Sequence, residues 1–327
     1  MKVLTFFNNK GGVGKTTMVY HISWMLAEMG YRVISVDLDP QSNLTSMFLP
    51  IERLEEIFED EPGSTILGSV VPVIDSEGYQ PVHIENIHEN IGLLIGNLAL
   101  SAYEDKLSDA WLKCLNRDAY AFKVVSVFDK LIKDASERFK ADIVLIDVGP
   151  NLGAINRAVT VGSDYLIMPV SSDLFSLQGI KNLGQTLKTW KKEWDERKAK
   201  NPKPDTLSLP KGDVESSGYV IMQYTAKESR PVKSYLKWAD RIPATYHEFV
   251  LNNQISPDLT IDNDSECLGL LKHYHSLAPM SMEAHRPMFL LKPADGAIGA
   301  HVQAVKKCYA DFQQLTQRIL ETCQVVS

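Results

Sequence analysis

Residues 8–17 of the 327-residue chain read NNKGGVGKTT, a run rich in glycine with two lysines. Glycines allow a backbone to curl so that successive N–H groups point at phosphate oxygens. Lys15 is placed to reach the β- and γ-phosphates of a nucleotide, and the Thr16 hydroxyl is placed to ligate Mg²⁺. The sequence therefore predicts a phosphate-binding loop with these contacts to the nucleotide: Gly11, Gly12, Val13, Gly14, Lys15, Thr16 and Thr17.

The surroundings of this loop fit the motif. Residues 3–7 form an apolar, β-rich run that predicts a strand, and residues 18–29 predict a helix that ends at Gly30. A strand, a glycine loop and a helix are the context that phosphate binding requires. The N-terminus of the helix adds the positive end of its dipole to the amides of the loop.

One position of the loop departs from the common P-loop pattern, which requires a glycine five residues before Gly14. Asn9 stands there instead, and an additional lysine, Lys10, follows it. This variant resembles the deviant Walker A motif, K-G-G-x-G-K-T, of the ParA/MinD family of ATPases. The resemblance implies that Lys15 is the usual P-loop lysine and that Lys10 crosses a homodimer interface to contact the ATP of the partner.

Carboxylates follow two further apolar runs. Residues 32–36 predict a buried strand that leads into Asp37 and Asp39, and residues 142–147 predict another that ends at Asp147. Since ligands bind at the carboxyl ends of strands in open α/β sheets, Asp147 is a candidate to hold Mg²⁺ through water. The segment from Asp37 resembles the D-x-D-P-Q-x-N segment of the family. The resemblance implies that Asp37 supports the Mg²⁺ shell and that Asp39 orients or activates the attacking water; an Asx turn is the alternative.

The remaining pattern alternates strands and helices, as is typical of an α/β fold. The expectation is one doubly wound domain over residues 1–327, of the P-loop, deviant Walker A class, with a mostly parallel sheet and helices on both faces. A first strand at residue 2 leaves no room for an N-terminal helix-turn-helix domain. We predict strands at 91–96, 164–170 and 218–224, helices at 119–139, 154–161, 174–200 and 302–321, and a surface loop at 201–212.

Three further positions bear on the nucleotide. Residues 148–151 read Val-Gly-Pro-Asn where the family more often has Thr-Pro-Pro-Ser, which affects how the γ-phosphate is sensed. The resemblance places Gln223 near the adenine, but residues 275–279 do not match the Ile-Pro-Arg turn that usually lies near the base. The sequence contains no N-K-x-D guanine motif, which favours ATP over GTP.

The formal net charge of −7 means that any contact with DNA requires a local basic patch. The stretch from Lys181 to Lys203 has eight lysines and arginines against three acids, and it includes Trp190 and Trp194. This composition predicts nonspecific contact with DNA phosphates, and resemblance to ParA favours that interpretation. The alternative is a solvated helix face whose tryptophans pack inward.

Compartment and membrane signals are few. The four cysteines have no C-x-x-C spacing, which favours free thiols in a reducing cytoplasm and counts against an iron–sulfur cluster. The sequence shows no signal peptide, and no apolar run approaches the ~20 residues of a membrane helix. The expected location is the cytoplasm, at the nucleoid if the protein binds DNA, without stable membrane association.

The residues and the resemblance together predict an ATP-dependent switch. ATP and Mg²⁺ drive homodimerisation, and slow hydrolysis, stimulated by an unidentified partner protein, releases the cargo. Lys10, Lys15 and Asp39 are the expected catalytic residues, and the expected role is partitioning or positioning of DNA or another cargo. Two alternatives stay open. One is a regulatory or defence switch that acts on a protein partner, and the other is a P-loop ligase or synthetase of metabolism, which would have no use for Lys10 across a dimer.

Overall fold

The computed structural model describes residues 1–224, 226–227, 230–231 and 237–325, with all of their side chains except those of residues 62, 223, 224, 226, 227, 230 and 231. Its strands are β1 Lys2–Phe6, β2 Val33–Leu38, β3 Glu85–His88, β4 Ile91–Leu94, β5 Ile143–Val148, β6 Tyr165–Ser171, β7 Glu215–Tyr224, β8 Ala226–Lys227, β9 Arg230–Pro231 and β10 Cys267–Lys272. Eight of them form one sheet in the order β10-β7-β6-β1-β5-β2-β4-β3. Every neighbouring pair in this sheet is parallel except β3 and β4.

Helices cover both faces of the sheet. They are α1 Lys15–Glu28, α2 Asn43–Phe48, α3 Ile51–Glu59, α4 Leu67–Ile74, α5 Glu104–Lys113, α6 Ala119–Val125, α7 Val127–Phe139, α8 Ala154–Gly162, α9 Leu174–Lys198, α10 Ile242–Tyr246, α11 Leu277–Glu283 and α12 Ala300–Thr322. One apolar core contains side chains of α1 and α12, such as Met18 and Phe312. The other contains side chains of α7, α8 and α9, such as Phe128, Ile155 and Trp194. The doubly wound, mostly parallel α/β fold predicted from the sequence is therefore confirmed.

The central strands explain where the site lies. All six residues of β2 and of β5 are buried, because helices cover both faces of the sheet at this point. In the register of the sheet, Asp147 of β5 pairs with Phe6 of β1 on one side and with Asp37 of β2 on the other. The loops that follow β1, β2 and β5 consequently meet at one edge of the sheet.

Some predicted elements change. The helix predicted at 119–139 is wrong as a single element, because the chain turns at Ser126 and forms α6 and α7. Strands β3 and β10 were not predicted. Both lie at the edges of the sheet and pair with irregular register. β3 has a single apolar residue, Ile87, and the short apolar run of β10 is interrupted by Gly269. Among the described helices, none is both long and apolar enough to cross a lipid bilayer. The extent of the domain, residues 1–327, stays a prediction.

Candidate functional site

Residues 7–14 connect β1 to α1, and residues 15–17 of the predicted loop form the first turn of α1. Gly12 and Gly14 have φ angles of +72° and +85°, in the left-handed region that favours glycine. Gly14 has a second constraint, since a Cβ there would lie 2.7 Å from the Met222 Cε of β7. None of the described side chains caps the start of α1 at Lys15. The first N–H groups of this helix are thus left for a ligand, and an anion suits them best.

Lys15 points its charge into this region. The side chain is 6% exposed, and its Nζ lies 3.5 Å from the carbonyl oxygen of Lys10. Burial lowers the pKa of Lys15, while the nearby charges of Asp147 and Asp39 act in the opposite direction. A buried ammonium group with one weak hydrogen bond is suited to an anionic ligand, because such a ligand restores the partners that burial removes.

Asp37 and Asp147 lie side by side on β2 and β5, and both are fully buried. The Thr45 amide and hydroxyl donate to one oxygen of Asp37 at 2.8 and 2.7 Å. The other Asp37 oxygen and both Asp147 oxygens have no hydrogen-bond partner in the described part of the chain. Buried carboxylate oxygens without partners are the groups that a bound cation satisfies.

The titration of these two acids follows from their burial. Burial raises the pKa of Asp37 to about 7, against the opposing effect of the Thr45 hydrogen bonds. Burial, followed by the charge of Asp37, raises the pKa of Asp147 well above its ordinary value, and the Thr16 hydroxyl and Lys15 act against that rise. A divalent cation at this position would reverse the raised pKa values, since it favours the ionised carboxylates.

The residues predicted to hold Mg²⁺ are therefore close together. Thr16, Asp37 and Asp147 meet at the end of the loop, and the orphaned oxygens fit a cation there. In the described residues, no three His, Cys, Asp or Glu side chains form a complete metal cage. Mg²⁺ binds proteins through one or two carboxylates and takes its other ligands from phosphates and water, and Asp37 and Asp147 supply such a pair of carboxylates.

Asp39 follows β2 and faces the loop after β5. It is 6% exposed, and one carboxylate oxygen accepts a 3.0 Å hydrogen bond from the Gln41 amide. A Cβ on Gly149 would lie 3.3 Å from that oxygen, and a Cβ on Gly11 would lie 3.8 Å from the Pro150 ring. Asp39 therefore stands where the loop after β2, the loop after β5 and the phosphate-binding loop come together.

A cavity of about 670 Å³ opens over these groups. Its walls include Lys15 and Asp39 on one side, and Ser281, Met282 and His285 of the segment around α11 on the other. The volume is that of a typical small-molecule site. Residues 275–279, which the resemblance aligns with a turn near the base but which do not match its sequence, contribute Ala278 to the cavity wall, whereas Ser281, Met282 and His285 were not predicted to line the site. Gln223, predicted near the base, lies on β7, and its side chain falls outside the described residues.

Lys10 forms an intramolecular ion pair with Asp173, which precedes α9. Its Nζ also lies 3.4 Å from the Ser176 Oγ. Asp173 caps α9 by accepting a 2.9 Å hydrogen bond from the Ser176 amide. Burial alone raises the pKa of Asp173, but the hydrogen bonds from Lys10 and Ser176 lower it below its ordinary value. Asp173 was not predicted as a site residue, although an aspartate directly before a helical pattern is an N-cap signal.

The basic stretch from Lys181 to Lys203 presents fewer groups to solvent than its sequence predicts. Trp190 and Trp194 are buried in the core, so they are not available to stack on bases. Arg197 is also buried; it donates to the Trp111 and Glu193 carbonyl oxygens and stacks on the Trp111 ring. The tryptophans therefore pack inward, as the alternative for this stretch predicts, and only its exposed cations are available to contact phosphates. Four lysines on this stretch are exposed without an acidic partner among the described ion pairs: Lys188, Lys192, Lys200 and Lys203.

His21, on α1, ties the start of this helix to the C-terminal part of the chain. It is fully buried, its Nδ1 donates to the Thr17 carbonyl oxygen at 2.7 Å, and its Nε2 accepts from the Met288 amide at 3.1 Å. These bonds require the neutral ring. Burial lowers the pKa of His21 to about 4, against the effect of the Thr17 hydrogen bond.

His21 should make the free energy of unfolding depend on pH. Because its pKa is lower in the folded chain than the ordinary value of about 6.5, the unfolded chain binds more protons between about pH 6.5 and pH 4. The stabilisation is complete above that window and is lost as the pH falls through it, to a limit of about 3 kcal/mol. His21→Gln keeps a donor and an acceptor but cannot titrate. Urea unfolding of both proteins across this window should show the wild type losing stability faster, and parallel curves would contradict this role.

Comparisons with known proteins agree with this architecture. A family model described as an AAA domain, AAA_31, matches residues 1–200. Uncharacterized protein MJECL24 of Methanocaldococcus jannaschii is 27% identical over 237 residues, which cover 71% of this chain and 77% of that protein. The sporulation initiation inhibitor protein Soj of Bacillus subtilis is 30% identical over 191 residues, which cover 57% of this chain and 65% of Soj.

Solved structures show the same fold. Protein DIP2308 from Corynebacterium diphtheriae is 26% identical with a TM-score of 0.68, and the match covers 87% of this chain and 97% of that one. The Cyanothece McdA–ATP complex has a TM-score of 0.66 over 100% of this chain and 98% of McdA; at 15% identity it supports the fold alone. Since the AAA_31 model matches more than half of the chain, and the relatives are of the Soj type, this protein belongs to the ParA/MinD family of P-loop ATPases.

Proposed function

We propose that this protein is a Mg²⁺-dependent ATPase that dimerises when it binds ATP and hydrolyses it slowly. The observation that carries the proposal is the convergence of four charged groups at the carboxyl edge of the sheet: Lys15 and Asp39 line the cavity, and the neighbouring carboxylates of Asp37 and Asp147 are buried beside them. Lys10 lies on the same loop. A relative in Treponema pallidum, 29% identical over 57% of this chain, is named a chromosome-partitioning ATPase, which supports a role in partitioning.

Each group has a defined task in this proposal. The amides of Gly11, Gly12, Val13 and Gly14 and the Lys15 ammonium hold the phosphates, while the Thr16 and Thr17 hydroxyls lie at the start of α1 beside them. Thr16, with Asp37 and Asp147 through water, would hold Mg²⁺. The cation neutralises charge on the phosphate oxygens when it is bound. Asp39 orients the attacking water, since it stands at the meeting point of the three loops.

Lys10 is the residue that supports dimerisation in this proposal. It is part-exposed, with 28% of its side chain accessible, and it is paired with Asp173 rather than directed at the cavity of its own protomer. An exposed ion pair contributes little stability, so Lys10 can exchange Asp173 for a more strongly charged partner. The phosphates of a nucleotide in a second protomer provide such a partner. The sandwich dimer therefore has a lysine available in each monomer.

The direct test is nucleotide hydrolysis by the purified chain. We expect Mg²⁺-ATP to be converted to ADP and phosphate, no turnover when EDTA removes the metal, and weaker competition by GTP than by ADP. The turnover of the purified chain should be slow, because the partner protein that is expected to stimulate hydrolysis is not in the assay. Binding of ATP without any hydrolysis, in the presence of Mg²⁺, would contradict the enzymatic part of the proposal.

DNA is the proposed track for the ATP-bound dimer. The exposed lysines Lys188, Lys192, Lys200 and Lys203 form a basic strip on and after α9, and phosphate contacts need no aromatic side chains. A dimer presents this strip twice, which strengthens binding to one duplex through multivalency. An α9 surface that contacts only a protein partner is the alternative.

Replacing Lys188 and Lys192 with alanine should weaken binding to nonspecific duplex DNA by about tenfold. It should also reduce the slope of log K against the logarithm of the salt concentration by about two. Fluorescence anisotropy at several salt concentrations measures both quantities. The matched control is Lys106→Ala with Lys123→Ala, two exposed lysines away from α9 with the same total change in charge. Equal affinities of the two double variants would contradict the placement of DNA on α9, and no binding by wild type would favour the protein partner.

A further inference from the structure

Residues 148–153, which are the last residue of β5 and the loop that follows it, are here called the switch loop. It begins directly after Asp147 and passes beside Asp39, with Gly149 and Pro150 nearest to the site. Hydrolysis at Asp39 depends on where this loop lies, since it borders the position of the attacking water. The residues that hold the switch loop therefore bear on the rate of the reaction.

Asn156 of α8 holds the switch loop through two hydrogen bonds. Its side chain is 2% exposed, and its Nδ2 donates to the carbonyl oxygens of Gly149 at 2.7 Å and Asn151 at 2.6 Å. Two hydrogen bonds from one buried amide fix both residues relative to α8. The position of the switch loop thus follows the position of the first turns of α8.

Glu104 of α5 holds the start of α8. Its carboxylate accepts a 2.5 Å hydrogen bond from the Ala154 amide and longer bonds, at 3.4 Å, from the Ile155 amide. Gly153, at the N-cap position of α8, has no side chain that could serve this purpose. A carboxylate at the N-terminus of a helix is favourable, because it satisfies free N–H groups and faces the positive end of the dipole.

The approach of Glu104 depends on glycine at position 153. A Cβ there would lie only 2.5 Å from one Glu104 carboxylate oxygen and 2.8 Å from the other. A second contact joins the two helices: the Arg157 guanidinium of α8 stacks on the Trp111 ring of α5, with its Cζ 4.3 Å from the ring centroid. The fit between α5 and α8 is therefore built around the Glu104 carboxylate.

We infer that Glu104 is a positioning residue for hydrolysis: by holding the N-terminus of α8 it fixes, through Asn156, the switch loop beside Asp39. The segment between α3 and α6, whose purpose the sequence did not reveal, then has a function, which is to set the geometry of the switch loop from outside the site. The inference rests on the proposed ATP hydrolysis, but the loop geometry can be measured without it.

The test compares Glu104→Ala and Glu104→Gln with the wild type. Hydrolysis should slow by about tenfold or more in Glu104→Ala, with KM for ATP nearly unchanged, because the phosphate-binding loop is not disturbed. Glu104→Gln keeps an acceptor for the Ala154 amide and should recover part of the rate. Amide hydrogen exchange in residues 148–156, measured on the nucleotide-free chain, should be faster in Glu104→Ala and unchanged in the rest of the sheet. The matched control is Asp105→Asn, a loss of one exposed charge in the same helical turn.

Gly153→Ala perturbs the same contact from the side of the switch loop. The added Cβ would lie 2.5 Å from the Glu104 carboxylate and 2.8 Å from the Asn151 Oδ1, so this variant should slow hydrolysis at least as much as Glu104→Ala does. The double variant should be no slower than Gly153→Ala alone. Wild-type rates and wild-type amide exchange in Glu104→Ala would overturn the inference. If the wild type itself does not hydrolyse ATP, the proposed function fails, while the amide exchange of residues 148–156 still decides whether Glu104 holds the switch loop.

Discussion

Asp39→Ala is expected to reduce ATP hydrolysis by about 100-fold or more while leaving ATP binding intact. Asp39 is 6% exposed and lies where the loops after β1, β2 and β5 meet. In the proposed site it orients the attacking water, while other groups, namely Lys15 and the amides that precede α1, hold the phosphates. The variant should therefore accumulate with ATP bound, in the state that precedes hydrolysis.

Single-turnover hydrolysis and equilibrium binding of a fluorescent ATP analogue separate the two effects. The matched control is Asp39→Asn, which preserves the size of the side chain and an acceptor for the Gln41 amide but removes the charge. Both variants should bind the analogue as wild type does, and both should hydrolyse slowly. Hydrolysis at the wild-type rate in Asp39→Ala would show that another group orients the water.

Lys10→Ala is expected to abolish dimerisation on ATP, with a loss of dimer affinity of about 100-fold or more, because each protomer loses a charge directed at the phosphates of the other. Folding should be nearly unaffected, since the ion pair with Asp173 is part-exposed and such pairs contribute little. Sedimentation of the nucleotide-bound protein over a range of concentrations measures the dimer affinity. Thermal unfolding checks that the fold is intact.

Asp173→Asn is the informative counterpart of Lys10→Ala. Asparagine still caps α9 by accepting from the Ser176 amide, but it releases Lys10 from its intramolecular ion pair. If Lys10 acts across the dimer, this variant should dimerise on ATP at least as well as wild type. A loss of dimerisation in Asp173→Asn equal to that in Lys10→Ala would instead show that the ion pair within one protomer is what matters.

Much of the fold could be predicted because the central strands are buried on both faces. Residues of β1, β2 and β5 are almost continuously apolar, and each run ends in a polar loop, so both the strands and their ligand-binding ends are visible in the sequence. The strands at the edges of the sheet were harder to predict. β3 is partly exposed and has one apolar residue, Ile87, while β10 is a short apolar run interrupted by Gly269, so neither strand has a clear sequence pattern.

The site was predictable to the same extent. The lysines and acids of the three central loops stand in local patterns, and the structure brings them close together: Lys15 and Asp39 line the cavity, and Asp37 and Asp147 are buried beside them. Their roles in binding and hydrolysis stay predictions. Contacts between distant segments carry no such pattern. The hydrogen bonds of Glu104 to α8 join residues 50 positions apart, and those of His21 to Met288 join residues 267 apart. Such pairs depend on the packing of whole helices, so a single sequence does not reveal them.

The most direct test of the nucleotide-driven dimer is the mass of the protein in solution, measured by light scattering with Mg²⁺-ATP and with ADP for wild type, Lys10→Ala and Asp39→Ala. The account predicts a dimer of wild type with ATP and a monomer with ADP, a monomer of Lys10→Ala in both, and a lasting dimer of Asp39→Ala with ATP. A mass that does not respond to nucleotide, or a Lys10→Ala variant that behaves as wild type, would contradict the ATP-dependent dimer and leave a P-loop enzyme that acts without it.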